Sequence, residues 1–505
     1  IDSYKKALSL KPDYVQVYNN LGVLYKDHEK YEEAIKMFTK AKELQPDHQN
    51  SYYNLALIKK EQGQSEEVIE LLLKVLDINP EHKDAKDLVK KHFRLNLHNK
   101  LRRIDEAINV DPKNANNYHN SAVLLKKLDR TDEAEENYRK AISLDPKHIG
   151  SHHNLALIYK QRGQINEALT LAKNILEFDT SDPKLNYSVG IWNLQLGHWI
   201  AGWKYYEYRW KVWAKNRKEK WPFPKKYFWK GERGKRLVLW REQGIGDQII
   251  FLSLLPEVKE MCDTLSVYVD PRLEPLCRRA MPGINFITDE KILKREKCDY
   301  HLPLQSLGGL LRNDIRDFDR TVKGYLKADP ERVEAIRREL NLEGKTAIGI
   351  SWKSAQTKYK TKSIHLRDME RIFSGLDVVL VNLQYGDVED EIREFKDATG
   401  IEVVQCASVD NREDLDGLAA LIEVCDLVVS TSNVTVHLAG ALAKETWVLL
   451  HYVSIYYWLV ERTDSIWYPS LTLYRQPKLD DWDSVYASVR KDLHSNWCKT
   501  MSSIK

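Results

Sequence analysis

Four short segments bring together residue types that could move a group onto a hydroxyl. The first is Arg241-Glu242-Gln243-Gly244-Ile245-Gly246-Asp247-Gln248. Its two glycines allow the backbone close to a ligand, and a helix beginning there offers free N–H groups to an anion. Asp247 fits two roles: an acid stabilising the first helical turn, worth about 1 kcal/mol, or a general base. The residues alone leave these even. The second segment runs from Lys353-Ser354-Ala355-Gln356 through Lys358, Lys360 and Lys362 to His365. It reads as a phosphate-seeking loop or as a solvated basic one. The third, Asn382-Leu383-Gln384-Tyr385-Gly386-Asp387, places Gln384 where it could read a base or ribose edge, or merely close a turn. The fourth is Ser430-Thr431-Ser432-Asn433-Val434-Thr435-Val436-His437-Leu438-Ala439-Gly440. Hydroxyls, a helix N-terminus and His437, four residues after Asn433 on the same face, would converge where a diphosphate sits. A packed histidine behind an ordinary cap is the plainer account, but the hydroxyl cluster on Ser432 and its neighbours favours the ligand. No phosphate-binding G-x-x-x-x-G-K-[ST] loop and no Asp-x-Asp near these segments is present, so no metal and no cofactor are expected.

The elements that must position these residues are short apolar runs alternating with helices. Strands are predicted at 236–240, 265–270 and 284–287, then at 347–352, 378–383, 401–405, 427–430 and 446–450. Helices are predicted at 366–373, 388–398, 414–423 and 434–442. Two such blocks, divided near 324–341, make two doubly wound lobes facing a cleft, with ligands beyond the carboxyl ends of the strands.

The first part of the chain repeats. Pro12, Pro46 and Pro80 are 34 residues apart, Pro112 follows after 32, and Pro146 after a further 34. Tyr18, Leu21, Gly22, Tyr25, Ala34, Phe38 and Ala41 precede Pro46 at the offsets at which Tyr118, Ser121, Ala122, Leu125, Ala134, Tyr138 and Ala141 precede Pro146. This resembles the tetratricopeptide repeat, in which small residues let paired antiparallel helices approach and large ones fill the groove. The repeat between Pro80 and Pro112 is degenerate: short, basic and without the glycine. Tyr4, Ala7 and Pro12 fit a second helix without its first, so the chain is expected to be a fragment or to have lost an N-terminal segment. Such arrays usually bind protein or peptide, though they can also merely space or dimerise the rest of the chain.

Composition bounds the rest. A chain of 505 residues suggests about three domains, and 43% hydrophobic residues suffice for their cores. Lys+Arg 78 against Asp+Glu 74 argues against a dedicated nucleic-acid binder. Basic residues among aromatics between Trp192 and Lys218 could stack single-stranded nucleic acid. The favoured account is a last repeat whose outer face packs on the next domain, with Trp221-Pro222-Phe223-Pro224 as linker. Six scattered cysteines, Cys262, Cys277, Cys298, Cys406, Cys425 and Cys498, fit buried small hydrophobes in a reducing compartment. No apolar run reaches ~18 residues and the start is not a signal peptide, so a cytoplasmic protein without a membrane span is expected.

The segments together resemble the tetratricopeptide-repeat glycosyltransferases whose catalytic half is similar to bacterial heptosyltransferases. The carrying residues are Glu242-Gln243-Gly244-Ile245-Gly246-Asp247, Gly349-Ile350-Ser351-Trp352-Lys353-Ser354, Leu383-Gln384-Tyr385-Gly386-Asp387, Asp426-Leu427-Val428-Val429-Ser430 on through His437 to Leu442, and Ser465-Ile466-Trp467-Tyr468-Pro469-Ser470. The overall plan is also similar to that of protein O-GlcNAc transferases. The resemblance implies an α-solenoid followed by an α/β GT-B fold of two Rossmann-like lobes. It divides the chain into a repeat array at 1–185, an aromatic-rich capping repeat and linker at 186–234, an acceptor-side lobe at 235–335, a nucleotide-sugar lobe at 336–485 and a C-terminal helix or tail at 486–505. It implies an inverting, metal-independent transfer from a nucleotide-sugar, with Asp247 as the base and Gln243, Gly244 and Gly246 in its loop. Lys353 or Lys362, Gln384, Ser432, Asn433 and His437 would hold the donor. Ser432 and Asn433 stand where heptosyltransferases often carry Asp-Thr or Thr-Gly, which points away from an ADP-heptose donor. A protein acceptor recruited by the repeats is the first expectation. A saccharide or lipid-carrier acceptor, or a non-catalytic scaffold, are the alternatives, and a homo-oligomer is possible.

Overall fold

The computed structural model describes residues 1–177, 180–213, 222–354 and 362–497. Trp221, Ala355, Gln356, Lys358, Lys360 and Cys498 lie outside them, as does the basic stretch beyond Trp213. The chain divides into two compact units, Ile1–Leu155 and Ala156–Lys505.

The first unit is built from antiparallel helix pairs: Val15–Asp27 with Tyr31–Leu44, Gln49–Glu61 with Ser65–Ile78, and Ala115–Lys127 with Thr131–Leu144. The small residues in the repeat pattern set how closely the pairs pack. A β-carbon on Gly22 would stand 2.6 Å from the Phe38 ring, and Ala34, Phe38 and Ala41 are fully buried. Each tight turn between paired helices needs one left-handed residue. Gly63 supplies it in the second pair, whereas Glu29 and Asp129 adopt it in the others. The degenerate repeat departs most from the pattern. Residues Lys83–Val110 form one uninterrupted helix of 28 residues where a helix pair would otherwise stand. Without the glycine and two residues short, this segment has no turn, and Leu97 and Leu101, one turn apart, bury a continuous stripe instead.

The second unit opens with the last repeat helices, Ile165–Leu176, Pro183–Gln195 and Trp199–Tyr206, and then becomes α/β. The strands are β1 (Arg236–Trp240), β2 (Thr264–Tyr268), β3 (Asn285–Ile287), β4 (Tyr300–Pro303), β5 (Ala347–Ser351), β6 (Val379–Asn382), β7 (Val403–Val404), β8 (Leu427–Thr431), β9 (Thr446–Leu450) and β10 (Leu471–Arg475). They form a four-stranded sheet, order β3-β2-β1-β4, and a six-stranded sheet, order β10-β9-β8-β5-β6-β7, with every pairing parallel. β5, β8 and β9 are buried along their whole length, which is why they read as unbroken apolar runs. β4 and β10 were not predicted. β4 ends in a proline and carries His301, and β10 is an edge strand with Thr472 exposed. Helix Trp482–Asp492 packs on β10 and helix Glu370–Phe373, and its Val485, Tyr486 and Val489 join the apolar cluster that includes Ile348, Ile350, Leu427 and Val429. Among the described residues no helix is long and apolar enough to cross a membrane.

Both sheets reverse strand order once, β1 beside β4 in the smaller and β5 beside β8 in the larger. At such points neighbouring loops diverge and leave a crevice at the carboxyl ends of the strands. The segments containing Asp247, Lys353 and Ser432 leave β1, β5 and β8 there.

Candidate functional site

The loop after β1 is braced from three directions. Gln243 Nε2 donates to the Tyr206 hydroxyl at 2.9 Å, and that hydroxyl donates to Gln305 Oε1 at 2.7 Å. Gln248 Nε2 donates to the Gln243 carbonyl at 3.2 Å. Glu242 is buried against Arg209, with Nη2 to Oε1 at 2.8 Å and Nε to Oε2 at 3.2 Å. Burial raises the Glu242 carboxyl, and Arg209 holds it back. Arg209 also binds Glu207 and Ser306 and lies over the rings of Tyr206 and Trp210. Together with Trp203, whose indole N–H donates to the Arg312 carbonyl at 2.7 Å, this fastens the aromatic segment to the smaller sheet's lobe. Gly308 leaves room for it, since a β-carbon there would meet the Trp203 ring at 2.5 Å.

Gly244 caps helix Ile245–Leu252, so Asp247 stands in its first turn. Its carboxylate accepts from the Gly244 amide and from its own, as a helix-capping acid does. The helix-start reading of Asp247 is thus the one the geometry displays. Asp247 is partly buried, and burial pushes its carboxyl up to about 6 although Lys362 and the two amides favour the charged form. Lys362, itself buried, is depressed to about 8 by desolvation, with Asp247 acting in the opposite direction.

The larger sheet supplies the opposing wall. Helix Val434–Ala441 packs against helix Ile245–Leu252, and a β-carbon on Gly246 would lie 2.8 Å from His437 Cδ2. His437 is fixed by its Nδ1 contact to the Tyr468 hydroxyl at 3.1 Å and by a parallel stack on Trp458 at 5.5 Å. Burial, reinforced by Lys362, lowers its imidazole to about 3, so the ring is neutral. Ser432 Oγ accepts from Trp458 Nε1 at 2.9 Å. The structure therefore brings together Gly246, Asp247, Lys362, His437 and, through Trp458, Ser432.

Three other residues hold the loops. Asn433 caps its helix through Thr435 N at 3.0 Å, and its Nδ2 donates to Ser351 Oγ at 2.7 Å and the Lys353 carbonyl at 3.1 Å. Gln384 Oε1 accepts from Ser351 Oγ, Trp352 N and Lys353 N at 3.0, 2.9 and 2.7 Å. Lys353 Nζ pairs with Glu391. Their polar atoms are committed to shaping the turn after β5. Of the two candidate lysines, Lys362 is the one coupled to Asp247.

Sequence reasoning missed Trp458, His451 and Arg475. His451 directly follows β9, whose carboxyl end alone could have flagged it. Arg475 ends β10 and donates to the Trp458 and Leu459 carbonyls at 3.0 and 2.9 Å. Among the described residues no cluster of three His, Cys, Asp or Glu side chains could hold a metal ion.

Known proteins resemble parts of this chain. Residues 15–48, 49–82, 115–148 and 137–170 match the tetratricopeptide repeat. Protein FlbA of Caulobacter vibrioides is 31% identical over 320 residues, covering 59% of this chain and 52% of FlbA. The chain thus spans about half the length of that curated relative. Among solved structures, YrrB, described as a TPR protein with an unusual peptide-binding site, is 17% identical over 37% of this chain and 96% of its own, with a TM-score of 0.20. TTC0263 of Thermus thermophilus is 20% identical over 35% of this chain and 96% of its own, with a TM-score of 0.19. The family match and the paired helices agree: the N-terminal region of this chain is a tetratricopeptide-repeat solenoid.

Proposed function

We propose that the chain is an inverting, metal-independent glycosyltransferase of GT-B type, acting in the cytoplasm on a protein that the repeats recruit. The observation that carries this reading is the meeting of Asp247 with Lys362 and His437 at the carboxyl ends of two parallel sheets. An acid with a carboxyl near 6 is a competent base at neutral pH, and a lysine beside it supplies the charge a departing phosphate needs.

In this mechanism the acceptor hydroxyl lies on the smaller sheet's side and loses its proton to Asp247. Its oxygen attacks the sugar C1 from the face opposite the nucleotide. The bond from C1 to the phosphate oxygen breaks, and the leaving nucleotide keeps the electron pair. Lys362 and the positive end of the helix dipole of Val434–Ala441 balance that charge. Neutral His437 offers a hydrogen bond without adding a second charge. Lys362 takes the part a divalent ion would otherwise play. The repeats support a polypeptide acceptor, because such solenoids ordinarily bind protein or peptide.

The test uses the full chain. A thermal-shift screen against ADP, GDP, UDP and CMP should show one nucleotide raising Tm with concentration, and the matching labelled nucleotide-sugar should label a polypeptide. Label found only in saccharide or lipid would redirect the acceptor assignment. No nucleotide binding and no donor turnover would end the transferase reading.

A further inference from the structure

We propose that Lys160, a residue of the helical repeats, belongs to the donor site and, with Lys362, brackets a doubly anionic nucleotide end. This inference rests on the donor-side reading of Lys362 given above. Lys160 lies in the last turn of helix Ile149–Gln161 and is partly buried. Just beyond that helix, Gly163, in the left-handed conformation, meets the loop after β9. A β-carbon there would stand 2.5 Å from the Tyr452 ring, so the glycine lets that ring lie directly on the backbone at 163. A second contact holds the same loop, with Gln195 Nε2 of helix Pro183–Gln195 donating to the Ser454 carbonyl at 2.7 Å. Within the second unit, Gly163 and Gln195 therefore both lie against the segment that follows β9.

That segment begins with His451, and the charges converging on it are all positive. Lys362, Lys160 and Arg475 each oppose protonation of His451, whose imidazole burial lowers to about 4. Lys160 likewise opposes the charge on Lys362. Arg475 is mostly shielded and directs its two terminal nitrogens to Ser454 and to two backbone carbonyls. Among the described residues, Asp247 is the acid that favours the charge on Lys362, and no carboxylate offsets the desolvation of Lys160. Cations gathered away from water with a single acid among them repel one another, and a bound anion relieves that repulsion. Lys362 balances Asp247. Among the described residues Lys160 and Arg475 are left over, which suits an anion of charge about −2. The diphosphate of a nucleoside-diphosphate sugar carries that charge, and so does a nucleoside monophosphate in its fully ionised form. The end of helix Ile149–Gln161, which lies in the second unit, is on this account part of the active site.

Calorimetry on the full chain decides it, using ADP, GDP, UDP and CMP and their four nucleosides as probes. Lys160→Gln should weaken the nucleotide that binds by roughly tenfold or more, with nucleoside affinity unchanged. Lys160→Arg should stay within about threefold of the unaltered chain, because the charge is kept. Tm of Lys160→Gln should be equal or higher, since a shielded charge is removed. A diphosphate or a monophosphate showing this pattern each supports the proposal and identifies the donor class. Unchanged nucleotide binding by Lys160→Gln beside loss in Lys362→Gln would overturn the role of Lys160 alone. A chain that binds none of the nucleotides would overturn the donor-side reading, and Lys160 with it.

Discussion

Gly246 and His437 are in contact across the two parallel sheets: the edge of the imidazole fills the space in which a side chain at 246 would begin, 2.8 Å from Cδ2. The glycine that the sequence offered as a ligand-approach residue is thus first a packing residue. Its missing side chain is what allows the helix bearing Asp247 and the helix bearing His437 to touch.

Gly246→Ala should therefore damage the site more than the fold. The added methyl must push His437 or separate the helices, an overpacking cost of about 1–3 kcal/mol. Turnover should fall at least tenfold, while Tm drops by only a few degrees. Gly244→Ala is the control for stability, since a β-carbon there meets only Asp247 Oδ2 at 3.6 Å. Equal kinetics in Gly246→Ala and the unaltered chain would show that the contact is unimportant.

Asp247→Asn should abolish transfer, by about 10²–10⁴-fold, with nucleotide affinity nearly intact. In the unaltered chain the rate should fall as pH drops through about 6, where the carboxyl takes up its proton. The same residue sets a stability trend. Its carboxyl lies at about 6 in the fold against 3.8 ordinarily, so the folded chain binds the proton more tightly. Its contribution to stability is present below the ordinary value and is lost as pH rises through about 6. The Tm advantage of Asp247→Asn should accordingly be larger at pH 8 than at pH 5, and scanning calorimetry at both values checks it.

Lys362→Gln should move the acid limb of the rate profile to higher pH. The lysine favours the Asp247 carboxylate, so its loss lets desolvation raise that carboxyl further above 6. Nucleotide affinity should fall in the same variant. In the unaltered chain affinity should decline as pH rises through about 8, where Lys362 gives up its charge. A limb that stays in place would separate Lys362 from Asp247.

Arg209→Met should destabilise the second unit by about 3–5 kcal/mol, because it leaves Glu242 buried without its cation. The Arg209 side chain is fully buried and that of Glu242 is 2% exposed, so water cannot step in. The double variant Arg209→Met with Glu242→Met should recover part of the loss. Denaturant unfolding of the two variants measures the difference.

Local pattern along the chain dictates the repeat period, the close helix pairs and most of the parallel strands. Gly22 opposite Phe38 is one instance, and an apolar run such as Ala347–Ser351, buried on both faces, is another. The candidate site was legible as loops, because strand ends and helix starts are local too. What each loop residue does was decided in three dimensions. Asn433, Gln384 and Lys353 have the right chemistry for a ligand, yet hydrogen bonds and an ion pair bind them to Thr435, Ser351 and Glu391. The part of Lys362 was set by its burial beside Asp247, which its local sequence does not encode. Of the residues missed altogether, Trp458, His451 and Arg475 follow β9 within 25 residues, whereas Lys160 lies nearly 300 residues earlier. Charge and stacking act through space, so packing alone could set Trp458 on His437, tie Arg475 to the Trp458 carbonyl and bring Lys160 and Arg475 to bear on His451.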